Sequence, residues 1–409
     1  MLPLTMASTR RETAAFHLGA ALIGVRILDD TVLQPAAGTS VLDHPVSALV
    51  PLSLLALVAW AYPRIRGGAW RGLAALILGV LGIATGVDAV YYARETGLGS
   101  DDVTGFVAIA AGLGLLGLGA ATLWRTRRRF GVRRLAFGLG ALFVFPLAVM
   151  PAGIAYVMTH TARADVPADR LGVAHEDVTF ESTDGLKLRG WYIPSRNGAA
   201  VIAFPGRKGP QAQARMLARH GYGVLLFDRR GEGDSEGRPN GWGWNGDRDI
   251  KGAIRFLKAR GIERIGGIGL SVGGELMLET AAETRELDAV VSEGAGARTM
   301  GEELDQPGTG ALELPLSAVQ YMTRDLVAAV SSNSLPPEHL RSLVARIEQP
   351  ALLIAAPNSP NGEKLNRLYA EAGTAALWEI PESKHVQGIK ARPAEYENRV
   401  VGFFKEALL

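Results

Sequence analysis

The stretch IGGIGLSVGGELMLET, Ile265–Thr280, decides the fold. Ile265–Leu270 is a short apolar run of strand length, and Val272–Thr284 carries a helical pattern. Between them, Gly269-Leu270-Ser271-Val272-Gly273 is a GxSxG turn with a strand before it and a helix after it, the setting such a turn requires. A corner this tight has no room for side chains two positions either side of the serine, which accounts for Gly269 and Gly273. It holds Ser271 strained, with its hydroxyl projecting above the sheet. The helix that follows presents its N-terminus to the same point, so the backbone N–H of Val272 is placed to stabilise an oxyanion.

Outward from this corner the pattern repeats. Ala199–Phe204, Gly223–Asp228, Ala289–Ser292, Ala351–Ala355 and Ala376–Ile380 are further strand-length apolar runs. Gln211–His220, Asp247–Arg260, Gly362–Ala372 and Pro393–Ala407 are amphipathic between and after them. Val178–Phe180 and Leu186–Ile193 flank Asp184-Gly185, a hairpin signal. Continuous apolar strands alternating with helices predict a mostly parallel sheet covered on both faces, an α/β domain over 173–409. The alternation stops between Gly294 and Gln349, where a helical cap (294–349) is expected, since structureless loops of that length are rare. Trp242 and Trp244 are expected to pack over the sheet edge, with a substrate wall as the alternative.

The first 160 residues have a different chemistry. Residues 1–170 carry 15 arginines against ten acidic residues, and the first lysine of the chain is Lys187. Five runs, 14–28, 46–62, 72–92, 103–124 and 135–159, predict an all-α transmembrane domain over 1–160, joined by a polar linker, 161–172. The run 14–28 is the weakest because it contains His17 and Arg26. Small residues crowd Gly112–Ala120, which suits close helix contact in lipid. Arg64, Arg66 and Arg71, and the group from Arg125 to Arg134, mark cytoplasmic loops; Asp29, Asp30, Asp43, Asp101 and Asp102 mark the opposite side. The alternation predicts a multi-pass plasma-membrane protein with everything after residue 160 outside the cytoplasm. Asp88 falls near the outer end of its run.

Composition narrows the chemistry. With 48% hydrophobic and 21% charged residues in 409, the chain is neither disordered nor fibrous, and a net charge of +2 gives no case for nucleic acid. The absence of cysteine excludes disulfides, thiolate metal sites, iron–sulfur clusters and cysteine nucleophiles together. Seven histidines are scattered, without HExxH or a carboxylate cluster at ligand spacing, so neither a metal nor another cofactor is expected. Gly206-Arg207-Lys208-Gly209-Pro210 is not a phosphate-binding Walker loop; its two cations are expected to be solvated at the surface, with an anionic substrate near the oxyanion hole as the alternative.

With the GxSxG corner in this setting, residues 175–409 resemble the α/β-hydrolase superfamily. Asp228-Arg229-Arg230-Gly231-Glu232-Gly233-Asp234-Ser235 resembles the family's structural D-x-R-G-x-G-x-S segment. Phe204-Pro205-Gly206-Arg207 stands where the family has its His-Gly oxyanion loop, with Pro205 in place of the histidine; the resemblance implies a second oxyanion N–H from Arg207. The nearest subgroup is that of membrane-anchored bacterial hydrolases similar to serine-aminopeptidase-like and dienelactone-hydrolase-like enzymes. In this family the order along the chain is serine, acid, histidine. Only His339 and His385 follow Ser271. His339 falls within the expected cap as a helix-start residue, and His385 in the loop after the last strand, where the family carries its general base. The family's aspartate after the strand Ala351–Ala355 is missing: Ser359 occupies its position. Glu363 is the first carboxylate available, Glu293 after Ala289–Ser292 the second, and a dyad or a dead site is the remaining possibility.

The resemblance implies a serine hydrolase acting on an ester or amide through an acyl-enzyme, with Ser271, His385 and Glu363 as its triad. A small-molecule ester or amide, including a lipid or cell-envelope ester, is the substrate class implied. Two rivals remain: an acyltransferase using the same residues, and an inactive binding or scaffolding module tethered to the bilayer.

Overall fold

The computed structural model describes residues 2–33, 45–86, 89, 102–126, 145–159, 171–206, 209–305, 313–359 and 363–409. Asp88, Arg207, Lys208, most of the expected linker and positions 135–144 of the last apolar run lie outside the described residues. The chain divides into two compact units, the second running from Pro151 to Leu409.

The first unit contains helices Leu2–Leu28, Pro45–Ala61, Gly68–Ala84 and Asp102–Thr126. Glycines spaced seven apart let two of these lie backbone to backbone. Gly72, Gly79 and Gly86 face Gly119, Gly112 and Gly105, and a methyl on Gly79 would come within 2.8 Å of the Gly112 carbonyl oxygen. Among the described residues one helix, Val103–Thr126, is long and apolar enough to cross a bilayer, where the sequence predicts five. Pro45–Ala61 and Gly68–Ala84 have 17 residues each, short of the roughly 20 that ~30 Å of hydrocarbon requires. Leu2–Leu28 is long enough but is interrupted by Arg10, Arg11, Glu12 and Arg26. Glu12 is buried and bound by Arg71 (3.1 Å) and by the Tyr62 hydroxyl (3.3 Å), so one of the expected loop arginines is engaged by a helix of its own unit.

The second unit is built on an eight-stranded sheet. Its strands are β1 (Glu176–Glu181), β2 (Lys187–Ile193), β3 (Ala199–Phe204), β4 (Gly223–Phe227), β5 (Arg264–Leu270), β6 (Ala289–Glu293), β7 (Ala351–Ala355) and β8 (Ala376–Glu379), in the order β1-β2-β4-β3-β5-β6-β7-β8. β1, β2 and β4 pair antiparallel; every pairing from β4 to β8 is parallel. β3, β4, β6 and β7 are buried along their whole length, because helices cover both faces. Alternation along β3 splits the core. Ala200, Ile202 and Phe204 join Ile250, Ile254 and Leu257 of helix Asp247–Ala259 on one face. Ala199, Val201 and Ala203 join Leu217 and the Tyr396, Val400, Phe404 and Leu408 stripe of helix Pro393–Leu408 on the other.

One boundary and one packing site differ from the expectation. Helix Met150–Met158 belongs, from Pro151 onward, to the second unit rather than the first. The reason is packing: Ala155 is buried against Trp244 and Ala328, and the Gly241 N–H donates to the Met158 carbonyl at 2.8 Å. For the same reason Trp242 and Trp244 do not lie over the sheet edge. They sit beneath helix Glu313–Ser332, with the Arg324 guanidinium 5.4 Å over the Trp242 ring. Between Gly294 and Gln349 the described residues form helices Met300–Leu304, Glu313–Ser332 and Leu340–Val344, the first opened by a Thr299/Glu302 capping box.

Candidate active site

β5 runs straight into helix Val272–Glu283, and Ser271 is the hinge, at φ 53° and ψ −126°. A non-glycine residue there is strained by about 1–3 kcal/mol and persists because its surroundings over-determine it. The Ser271 N–H donates to the Glu293 carbonyl at the end of β6 (2.7 Å), and its own carbonyl accepts from Gly274 (2.8 Å). Gly269 permits the corner because a Cβ there would overlap the Gly273 carbonyl. A Cβ on Gly273 would meet the Phe204 and Pro205 carbonyl oxygens at 2.7 Å. Both contacts are to backbone, which cannot swing aside. We expect Gly273→Ala to destabilise the unit by more than about 2 kcal/mol in a denaturant titration, far above a surface change.

The Ser271 Oγ lies 2.9 Å from Nε2 of His385, and His385 Nδ1 lies 2.7 Å from Glu363 Oε1. Glu363 is buried, and its second oxygen accepts the Ala356 N–H at 2.6 Å. A carboxylate only accepts, so Nδ1 carries the ring proton and Nε2 is left to accept from the serine hydroxyl. Glu363 opens a single turn, Glu363–Leu365, four residues past Ser359. The other candidate acid, Glu293, is bonded to other groups. It is buried, accepts from the Gly388 N–H (2.8 Å) and the Tyr396 hydroxyl (2.6 Å), and does not bond the imidazole. Burial holds the Glu293 carboxyl above the usual carboxylate range, against the pull of those two donors. His339 opens helix Leu340–Val344 and bonds Thr299 Oγ1 at 2.9 Å, away from the serine.

Val272 is the first residue of its helix, where backbone N–H groups have no intrahelical acceptor. The preceding Gly206 lies against Ser271, a Cβ there meeting the Leu270 carbonyl oxygen at 2.5 Å and Ser271 Cβ at 3.0 Å. Arg207, the expected second donor, is outside the described residues. The Asp228–Ser235 segment is structural as expected: Ser235 Oγ donates to the Asp228 carbonyl at 2.7 Å, and Arg230 binds Asp249 at 2.7 Å and Asp184 at 2.9 Å.

Two features of the site are absent from the sequence reading. Gly294, at φ +77°, lies against the imidazole: a Cβ there would meet His385 Cε1 at 3.1 Å and Val386 Cγ1 at 2.8 Å. A glycine directly after a strand whose end meets the serine was the available signal. Glu275, one turn beyond Ser271, accepts the Gly296 N–H at 3.3 Å. Burial pushes its carboxyl up to about 7, opposed by Arg298 and that N–H. Glu302 and His385 also face it, the first raising and the second lowering its pKa. Its folded pKa lies above the unfolded value of 4.5, so the folded state holds the proton more tightly and loses stability as pH rises between the two. Relative to the parent, Glu275→Gln should therefore gain about 3 kcal/mol between pH 4 and pH 8, as urea titrations at both pH values will register.

Residues 202–399 match the model of the alpha/beta hydrolase family. Over that stretch the second unit is similar to alpha/beta hydrolases. The chain is 27% identical over 255 residues to the uncharacterized protein YfhR of Salmonella typhi, covering 57% of this chain and 82% of that one. The polyketide transferase grgF of Penicillium sp is 33% identical over 132 residues, 28% of this chain and 43% of grgF. The esterase Pf2001 of Pyrococcus furiosus superposes with a TM-score of 0.48 at 22% identity, over 60% of this chain and 97% of the esterase. The match over residues 202–399 supports a hydrolase.

Proposed function

We propose that the hydrolase domain is a serine hydrolase acting on an ester or amide carbonyl, with Ser271 as nucleophile, His385 as general base and acid, and Glu363 as the orienting carboxylate. The observation that carries this reading is the unbroken line Ser271–His385–Glu363, at 2.9 Å and 2.7 Å. His385 takes the hydroxyl proton as Ser271 Oγ attacks the carbonyl carbon. The oxyanion is held by the Val272 N–H and a second donor from the Gly206-Arg207 loop. His385 returns the proton to the leaving alcohol or amine, and the acyl-enzyme is released when a water, deprotonated by the same imidazole, attacks it. With p-nitrophenyl acetate, rapid mixing should give a burst of one p-nitrophenolate per chain followed by slower turnover. A folded protein with no burst and no turnover would count against this reading.

We further propose that the apolar N-terminal region anchors the enzyme in the plasma membrane as a bundle of four or five spans, with the hydrolase domain outside the cytoplasm. Support comes from the apolar runs, from the alternation of arginine and aspartate between them, and from helix Val103–Thr126. A reporter fused after Leu409 should behave as external; cytoplasmic reporter activity would contradict it. Acyl transfer to an acceptor other than water is the second reading, favoured by the likeness to a relative named as a transferase. Added alcohols diverting the acyl group from water at low concentration would support it.

A further inference from the structure

Helix Glu313–Ser332 is inside out for a water-facing helix. Val319, Met322, Leu326 and Val330 follow one another at steps of three or four residues and are 43%, 66%, 67% and 75% exposed. Its charged pair is turned inward instead: Arg324 is bound to Asp325 and donates to the Arg298 carbonyl at 3.3 Å. A single exposed leucine needs no explanation; a continuous apolar stripe with the charges tucked under it does. Helix Pro151–Met158 is packed alongside through Ala155 and Ala328, and its Ile154 and Tyr156 are exposed too. That helix ends the run 135–159, the last apolar run before the hydrolase domain. The stripe therefore sits about one helix diameter, ~10 Å, from the chain where it leaves that run. It also stands near the reaction: Ser332 and Ser334, at the end of the helix, bind Asn240 and Asn245, and Gly243 between them lies against Val272.

We propose that this stripe, with the outer face of Pro151–Met158, lies in the interfacial layer of the bilayer, and that the substrates of Ser271 are esters of membrane lipids entering beneath the helix. The inference rests on the anchored-hydrolase reading above. Amphipathic faces of this kind bind by burying their apolar side about 5–10 Å into the headgroup and acyl boundary. The choice of lipid over a second copy of the chain comes from continuity with the apolar run that ends in Pro151–Met158.

The chain has no cysteine, which makes the test clean. Leu326→Cys in the full chain, labelled with an NBD fluorophore and reconstituted in phosphatidylcholine vesicles, should be blue-shifted, quenched by doxyl-phosphatidylcholine and shielded from iodide. Asn398→Cys, exposed on the C-terminal helix, serves as the aqueous reference. Equal iodide quenching at both positions in vesicle-bound protein overturns the inference while leaving anchoring intact. So does label-to-label transfer between copies with no doxyl quenching, which would assign the stripe to a second copy. Failure of the full chain to associate with vesicles removes the anchoring reading and this inference together. The label reports insertion whether or not Ser271 reacts. In parallel, Leu326→Glu/Val330→Glu should lower hydrolysis of a diacylglycerol in vesicles at least about tenfold, since a single buried leucine accounts for that much. It should leave p-nitrophenyl acetate turnover and thermal stability unchanged; an equal loss on both substrates would contradict lipid entry.

Discussion

Ser271→Ala should lower kcat for a soluble ester by about 10⁶-fold, the scale seen when a serine protease loses its nucleophile. Its circular dichroism and melting temperature should stay with the parent or slightly above, because alanine removes a strained residue's hydroxyl and nothing from the core. The His385 imidazole stays bound to Glu363 in that variant, so its loss of activity isolates the hydroxyl. The residual rate would come from the Val272 N–H and from substrate binding, and should not depend on His385. A Ser271→Ala enzyme retaining more than about a hundredth of the parent rate would place the chemistry on another residue.

The second large effect concerns the acid. Glu363→Gln should reduce kcat by about 10⁴-fold, because an amide beside Nδ1 no longer enforces the tautomer that leaves Nε2 free to accept the serine proton. Glu363→Asp should recover part of the rate, limited by the shorter reach from the Glu363–Leu365 turn. Glu293→Gln is the informative comparison. Glu293 holds the Gly388 N–H and the Tyr396 hydroxyl, which fix the helix Pro393–Leu408 behind the histidine loop. Its loss should appear in stability, with kcat kept within about tenfold. Equal catalytic losses in the two variants would overturn the assignment of the acid.

These two carboxylates also show how far the sequence carries. The parallel sheet was legible because β3 to β7 are written as short apolar runs between amphipathic helices, a pattern that follows from burial on both faces. Ser271 was legible because the corner needs Gly269 and Gly273, and His385 because the family's order leaves two histidines to choose from. The acid was legible only as a choice, Glu363 before Glu293, since the family position holds Ser359 and the bond from Glu363 to His385 is a tertiary contact. Gly294 escaped notice for a similar reason: its positive φ and its contact with His385 join segments some ninety residues apart. The place of Met150–Met158 was hidden too. Its apolar composition fits a membrane run, whereas its contacts with Trp244 and Ala328 are tertiary and leave no local signature.

The most direct measurement is covalent. Native membranes or purified full-length chain treated with a fluorophosphonate, digested and read by mass spectrometry, should carry one adduct, on Ser271. The adduct should be absent in Ser271→Ala and should form far more slowly in His385→Ala. Folded protein that takes no label, or takes it at another residue, would contradict the claim that Ser271 is an activated nucleophile.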